Sequence, residues 1–176
     1  AMFGYDGETT GEVVFNTAMT GYPENLTDPS YAGQILVTTY PLIGNYGVPD
    51  TGMGDNGLPM FMESERIHVK ALVVADYSKT YSHWNAKESL AHWLIREKVP
   101  AITGVDTRRL TKVLREHGVM MGRIMLSEES RVKQDFSTAL DYGDVNWVEQ
   151  VSCKEVITYP IPSSTKRVVL VDCGDS

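Results

Sequence analysis

The chain has 176 residues, and 16 Lys+Arg against 23 Asp+Glu leave a formal net charge of −7. That length fits one domain, or one domain plus the beginning of another, and 42% hydrophobic with 22% charged residues excludes the disordered class. An acidic chain without a basic block sets nucleic acid aside as a partner, and no apolar run approaches the ~18 residues of a membrane span. Cys153 and Cys173 are too few for a disulfide framework and do not form a metal pair. With no charged-then-apolar leader in view, the expected setting is soluble, intracellular and reducing.

In chain order, Glu12-Val13-Val14-Phe15-Asn16-Thr17 carries the β-branched and aromatic content of a strand. Gly21 to Ser30 is dense in turn formers, with Pro23 and Pro29. Gln34 to Tyr40 reads as a second strand, stopped by Pro41, which cannot donate to a central ladder. The glycine-rich stretch from Gly44 to Gly57 reads as a long surface loop. His68 to Ala75 predicts a buried strand. Ser82 to Lys98 predicts a helix with Trp84, Leu90, Trp93 and Leu94 on its apolar face.

Ala101-Ile102 is a short strand after Pro100. Asp106 or Thr107 caps a helix running through His117, with Leu110, Val113 and Leu114 inward and Gly118 as its stop. Val119 to Leu126 is apolar enough for a strand. A short helix is expected near Phe136 to Leu140, a linker over residues 159–166, and a wholly apolar strand over Arg167 to Asp172. Such a strand belongs in a parallel sheet with neighbours on both sides, so it predicts the opening of a second domain.

Gly52-Met53-Gly54-Asp55-Asn56-Gly57 matches the letters GxGxxG, but a dinucleotide site needs a strand before it and a helix after it. Pro49 and Pro59 leave room for neither, and a glycine-rich turn is the better reading. Asn25-Leu26-Thr27 fits a glycosylation acceptor by coincidence. His68, His83, His92 and His117 lack ligand spacing, so no metal site is expected. Cys173 reads as a buried inert thiol, and no nucleophile–base pair announces a catalytic residue. Arg108, Lys112 and Arg115 fall at i, i+4 and i+7 on one helix face. That face is either solvated or a candidate interface for an acidic partner.

Longer strings carry more. Gly11 to Thr17, Met19-Thr20-Gly21-Tyr22-Pro23-Glu24, Leu26 to Ile35, Tyr40 to Gly47, Gly104-Val105-Asp106-Thr107-Arg108 and Val171-Asp172-Cys173-Gly174 resemble the small-chain N-terminal domain of glutamine-dependent carbamoyl phosphate synthetase. The stretch with Phe61-Met62-Glu63-Ser64 and Ile67-His68 looks like the eukaryotic form. The resemblance implies an α/β fold, a three-layer β/β/α domain over residues 1–158. Residues 167–176 would then open a class I glutamine amidotransferase domain.

In that family the second domain hydrolyses glutamine with a Cys-His-Glu triad. The ammonia goes to a synthetase part, a large chain or domain, that makes carbamoyl phosphate from bicarbonate and two ATP. ATP and Mg belong to that part, so no cofactor is implied here. The N-terminal domain braces the amidotransferase and docks the synthetase part. Ser30, in Thr27-Asp28-Pro29-Ser30-Tyr31, matches a family serine that contacts bound glutamine; on its own chemistry its hydroxyl could instead cap a helix. The chain departs from the family in lacking the opening hairpin before Phe3-Gly4, and in reading Asp175-Ser176 after Gly174 where the family has lysine and asparagine. The Cys173 thiol is not the family nucleophile. The alternative is a non-catalytic interaction module from a diverged copy. The compartment implied is the cytoplasm, or the mitochondrion where a leader precedes Ala1.

Overall fold

The computed structural model describes residues 1–126, 142–159, 163 and 165–174. The first strand is β1, Thr9–Asn16, where a strand was expected. Its partner β2, Gln34–Thr38, runs parallel to it, with Glu12 opposite Gln34 and Asn16 opposite Thr38. Between them the chain crosses over through α1, Tyr22–Thr27, and a 3-10 turn at Pro29–Tyr31. β3, Leu42–Ile43, pairs in parallel with β5, Asp76–Tyr77. β4, Ala71–Val73, lies parallel to β2, and β6, Ala101–Ile102, parallel to β4. α2 spans Leu90–Arg96 and α3 spans Thr107–His117. β7, Met120–Ile124, closes the other side of β1 in antiparallel register. The main sheet therefore runs β6-β4-β2-β1-β7.

The alternation of side chains along these strands builds two cores. On one face Val14, Leu36, Leu72 and Ala101 pack with Tyr22 and Leu26 of α1, Leu90, Trp93 and Leu94 of α2, and Ile43 and Tyr77 of the small sheet. On the other, Val13, Phe15, Ile35, Val37, Ala71, Val73 and Ile102 pack with Leu110 of α3 and Val105 before it. The order of layers is α3, main sheet, small sheet with α1 and α2: the three-layer β/β/α arrangement that the resemblance implied. Leu26, Leu36, Leu72, Leu90 and Leu94 are fully buried, each worth about 1.5–3 kcal/mol of apolar transfer.

Three local expectations need correction. The turn-dense stretch forms α1, because Pro23 falls in the first helical turn, where a missing N–H costs nothing. The Tyr46 hydroxyl accepts the N–H groups of Gly21 and Tyr22, doing the work of the absent side-chain cap. The helix expected from Ser82 begins only at Leu90. Backbone pairing of Val48 with Lys87 and Glu88 holds the preceding residues out of helix, and Ser89 caps α2 by accepting the His92 N–H. Trp84 is thereby 86% exposed rather than on an apolar helix face. The strand expected over His68 to Ala75 shrinks to β4, since the His68 N–H is spent on the Leu26 carbonyl.

α3 forms where its caps predict, with Asp106 accepting the Arg109 N–H at 2.9 Å and Gly118 ending it at φ 78°. Beyond β7, the helix expected near Phe136 to Leu140 lies outside the described residues. A 3-10 turn at Tyr142–Asp144 leads into α4, Trp147–Val151. Of the expected linker only Tyr159, Ser163, Thr165 and Lys166 are described. Residues 167–172 join no sheet among the described residues. Cys173, expected to be buried, is exposed, because the segment that leads into it has no sheet partner among the described residues.

Candidate functional site

Ser30 sits in a turn that its neighbours shape. Asp28 precedes a proline and is extended, at φ −71° and ψ 119°, as that position requires. Pro29 then starts the 3-10 turn, closed by the Tyr31 N–H on the Asp28 carbonyl and the Ala32 N–H on the Pro29 carbonyl. The Asp28 carboxylate accepts both the Ser30 N–H at 2.8 Å and the Ser30 hydroxyl at 2.6 Å. The cap of this turn is therefore Asp28, and Ser30 does not fill the capping role. Ser30 is exposed. With its one proton given to Asp28, its hydroxyl offers lone pairs, and a ligand N–H is what they suit.

The turn is braced from behind. The Thr27 hydroxyl donates back within α1, to Pro23 and Glu24, and accepts the Glu63 N–H at 3.0 Å. The Thr27 carbonyl accepts the Ser64 hydroxyl at 2.6 Å. His68 Nε2 lies 3.0 Å from Ser64 Oγ. Because the Ser64 proton goes to a carbonyl, the bond to His68 requires the Nε2–H tautomer. Burial, helped by the Arg66 charge and opposed by Asp28, holds the His68 imidazole below its ordinary value, which keeps it neutral.

In front of the turn lies α4. Gly33 has φ 78°, and a Cβ there would overlap the Trp147 ring. Trp147 Nε1 donates to the Tyr142 carbonyl at 2.9 Å, the two rings stack at 4.9 Å, and the Tyr142 hydroxyl donates to the Ala32 carbonyl at 3.0 Å. Arg66 also reaches the Gln150 carbonyl at 3.4 Å.

Arg108, Lys112 and Arg115 are exposed on α3 and form no ion pair with a described residue. Thr107, Thr111 and Leu114 point inward, so the three cations occupy the outer face. α1, which leads into the Ser30 turn, packs on the opposite face of the sheet. The two candidate sites are therefore separate.

The braces around Ser30 were not found by reading the sequence. Ser64 and His68 are four residues apart on no helix, and Trp147 is a lone aromatic. The one signal was Gly33, a glycine opening an apolar strand. Among the described residues, no three His, Cys, Asp or Glu side chains converge on a metal position, and no helix is long and apolar enough to cross a membrane. The GxGxxG letters form a turn that consumes its own donors. The Gly52 N–H goes to Asp50, Gly54 to the Leu58 carbonyl, and Gly57 to the Gly54 carbonyl.

Compared with known proteins, residues 1–124 match the family described as carbamoyl-phosphate synthase small chain, CPSase domain. The chain is 47% identical to the arginine-specific small chain of carbamoyl phosphate synthase from Chaetomium globosum, over 98% of its own length and 37% of that protein's. It is 49% identical to the mitochondrial carbamoyl-phosphate synthase [ammonia] of Homo sapiens, covering 98% of this chain and 11% of that one. To the multifunctional protein ura1 of Schizosaccharomyces pombe it is 43% identical, over 98% and 9% respectively. The chain thus spans little more than a third of the small-chain relative and far less of the others.

Proposed function

The chain belongs to the carbamoyl-phosphate synthase small-chain family and corresponds to its N-terminal part, and from that premise we propose that it braces and completes a glutamine site whose catalytic groups lie in a following amidotransferase domain. The observation that carries this reading is the Ser30 hydroxyl, exposed and fixed by Asp28 with its lone pairs free to accept. Glutamine brings an α-ammonium and an amide NH₂, both donors. Ser30 contributes by holding one of them while chemistry proceeds elsewhere. Ser64 gives its proton to the Thr27 carbonyl and accepts from His68, so that histidine is not placed as a base on the hydroxyl, and on this reading this part alone neither hydrolyses glutamine nor forms carbamoyl phosphate.

ATP and Mg are assigned to the synthetase part. The glycine-rich turn supports that assignment: its Gly52, Gly54 and Gly57 N–H groups are spent internally, and a phosphate cradle needs such groups free. The outer face of α3, with Arg108, Lys112 and Arg115, is proposed to dock the synthetase part through acidic side chains. Across such an interface charge sets register and association rate.

The experiment uses the complete enzyme. Ser30→Ala removes one neutral hydrogen bond, worth about 0.5–1.5 kcal/mol, and should lower glutamine kcat/KM roughly 2- to 12-fold. Synthesis from free ammonia bypasses the pocket and should stay at the wild-type rate. Equal losses with both nitrogen sources would return Ser30 to a purely structural role.

A further inference from the structure

One short helix touches both the turn that presents Ser30 and the string that would open the next domain. At its start, Trp147 lies over Gly33, three residues past Ser30, at a distance that leaves no room for a Cβ. Tyr142 pins the same spot through its bond to the Ala32 carbonyl. Along its length, the Gln150 carbonyl takes Arg66, from the segment whose Ser64 backs Thr27. At its far end, the Asp172 carboxylate accepts the Cys153 N–H at 2.6 Å and the Gly174 N–H at 2.8 Å. Gly174 itself sits so close to Val148 that a Cβ would fall 2.9 Å from the Val148 Cα. α4 has no fully buried residue, so core packing does not explain these contacts. Together they tie α4 and the residues flanking it to the Ser30 turn, to Arg66 behind that turn, and to residues 172–174.

We propose that α4 is the joint that registers the following domain against Ser30, with Trp147 as its positioning residue. The proposal rests on the glutamine-site reading above and adds to it the element that sets the alignment. Ser30 and the catalytic groups would lie on two domains, and a hydrogen bond across that boundary depends on relative placement to a fraction of an ångström. Two flat rings stacked on a glycine backbone fix orientation as well as distance, which a flexible linker cannot do. The conformation is also demanding: Gly33 is left-handed and closely covered, so both its missing side chain and its φ are used.

The test is steady-state kinetics of the complete enzyme with glutamine and with ammonia, beside thermal melts. Trp147→Ala should raise the glutamine KM about three- to tenfold while leaving kcat and the ammonia-dependent rate near wild type. Trp147→Phe, which keeps a ring on Gly33, should recover most of the loss. Gly33→Ala inserts a methyl where the Trp147 ring lies and should reproduce the Trp147→Ala phenotype with the tryptophan still present. Because the clash is with Trp147, the double variant should have a glutamine KM no higher than Gly33→Ala alone. Ser30→Ala, run in parallel, separates the two ideas. If Ser30→Ala raises the glutamine KM and neither Trp147→Ala nor Gly33→Ala does, the joint is overturned and the glutamine site stands. If Ser30→Ala is silent, the site and the joint fall together. Parallel loss with both nitrogen sources, or multiplicative effects in the double variant, would make α4 a merely structural strap.

Discussion

Ile35, Leu36 and Val37 of β2 are 2%, 0% and 0% exposed, whereas Val168, Val169 and Leu170 are 91%, 79% and 90% exposed. The two stretches are equally branched and apolar. β2 has β1 and β4 as backbone partners, α3 over one face, and α1, α2 and the small sheet over the other. Residues 167–172 have no sheet partner among the described residues. A hydrophobic run states a need for neighbours, and burial follows only where the fold supplies them. The contrast also divides the molecule into a cooperative body, from β1 to β7, and a C-terminal strap attached at a few points.

Six substitutions would break or sharpen that division. The largest effect is expected for Leu36→Ala, which empties a site packed on all sides and should cost about 2–5 kcal/mol in a denaturant melt. Leu170→Ala, in the same chain, should stay within about 0.5 kcal/mol of wild type. In a longer protein carrying the amidotransferase domain, Leu170→Ala should rise to the Leu36 range if residues 167–172 become a central strand. A near-zero result there would remove that reading of the segment.

Next come the helix caps, where chemistry is similar and packing is not. Asp106 accepts the Arg109 N–H at the start of α3, and Asn146 accepts the Glu149 N–H at the start of α4. Asp106→Ala should lower global stability by about 1 kcal/mol, because α3 covers one face of the sheet. Asn146→Ala should leave the global melt unchanged and instead speed amide exchange locally in α4, as expected of a segment outside the cooperative unit. Equal global losses from the two would refute the division.

A smaller effect concerns pH. Burial and the Arg66 charge lower the folded-state value of His68, against an opposing pull from Asp28. The unfolded chain then takes up the proton first as pH falls. Stability should therefore decline from about pH 6.5 downward and level off below the folded value. His68→Gln retains a donor toward Ser64 and should remove this component, read as the difference between the two pH–stability curves.

The smallest expected effect is that of Lys112→Glu on folding. Its side chain is exposed on α3 and lacks an ion-pair partner among the described residues, so stability should move by no more than about 0.5 kcal/mol. Association with the synthetase part, measured across a salt series, should by contrast weaken and lose salt sensitivity. Unchanged affinity would leave the face merely solvated.

Much of the body was legible in the residues themselves. Glu12 to Asn16, Gln34 to Thr38 and Ala101-Ile102 announce strands by composition and by bounding glycines and prolines. Asp106 and Gly118 announce both ends of α3. Each signal is local, acting through a residue's own backbone preference or a neighbour within one turn. The position of Ser30 was legible through the strings around it, and its orientation was not. That Asp28 takes both the Ser30 N–H and its hydroxyl follows from backbone angles that a sequence does not display.

The sequence by itself determined the strands β1, β2 and β6 and where α3 begins and ends, and through the apolar run from Val168 to Val171 it stated a need for neighbours. Only the tertiary structure decided that Val48 pairs with Glu88 and cuts α2 short, that Trp84 therefore stands exposed, that Ser64 and His68 back the Thr27 carbonyl, and that Trp147 closes over Gly33. Those contacts join residues tens to more than a hundred positions apart. Their formation depends on loop closures and packing shared by the whole chain, and no local preference encodes them.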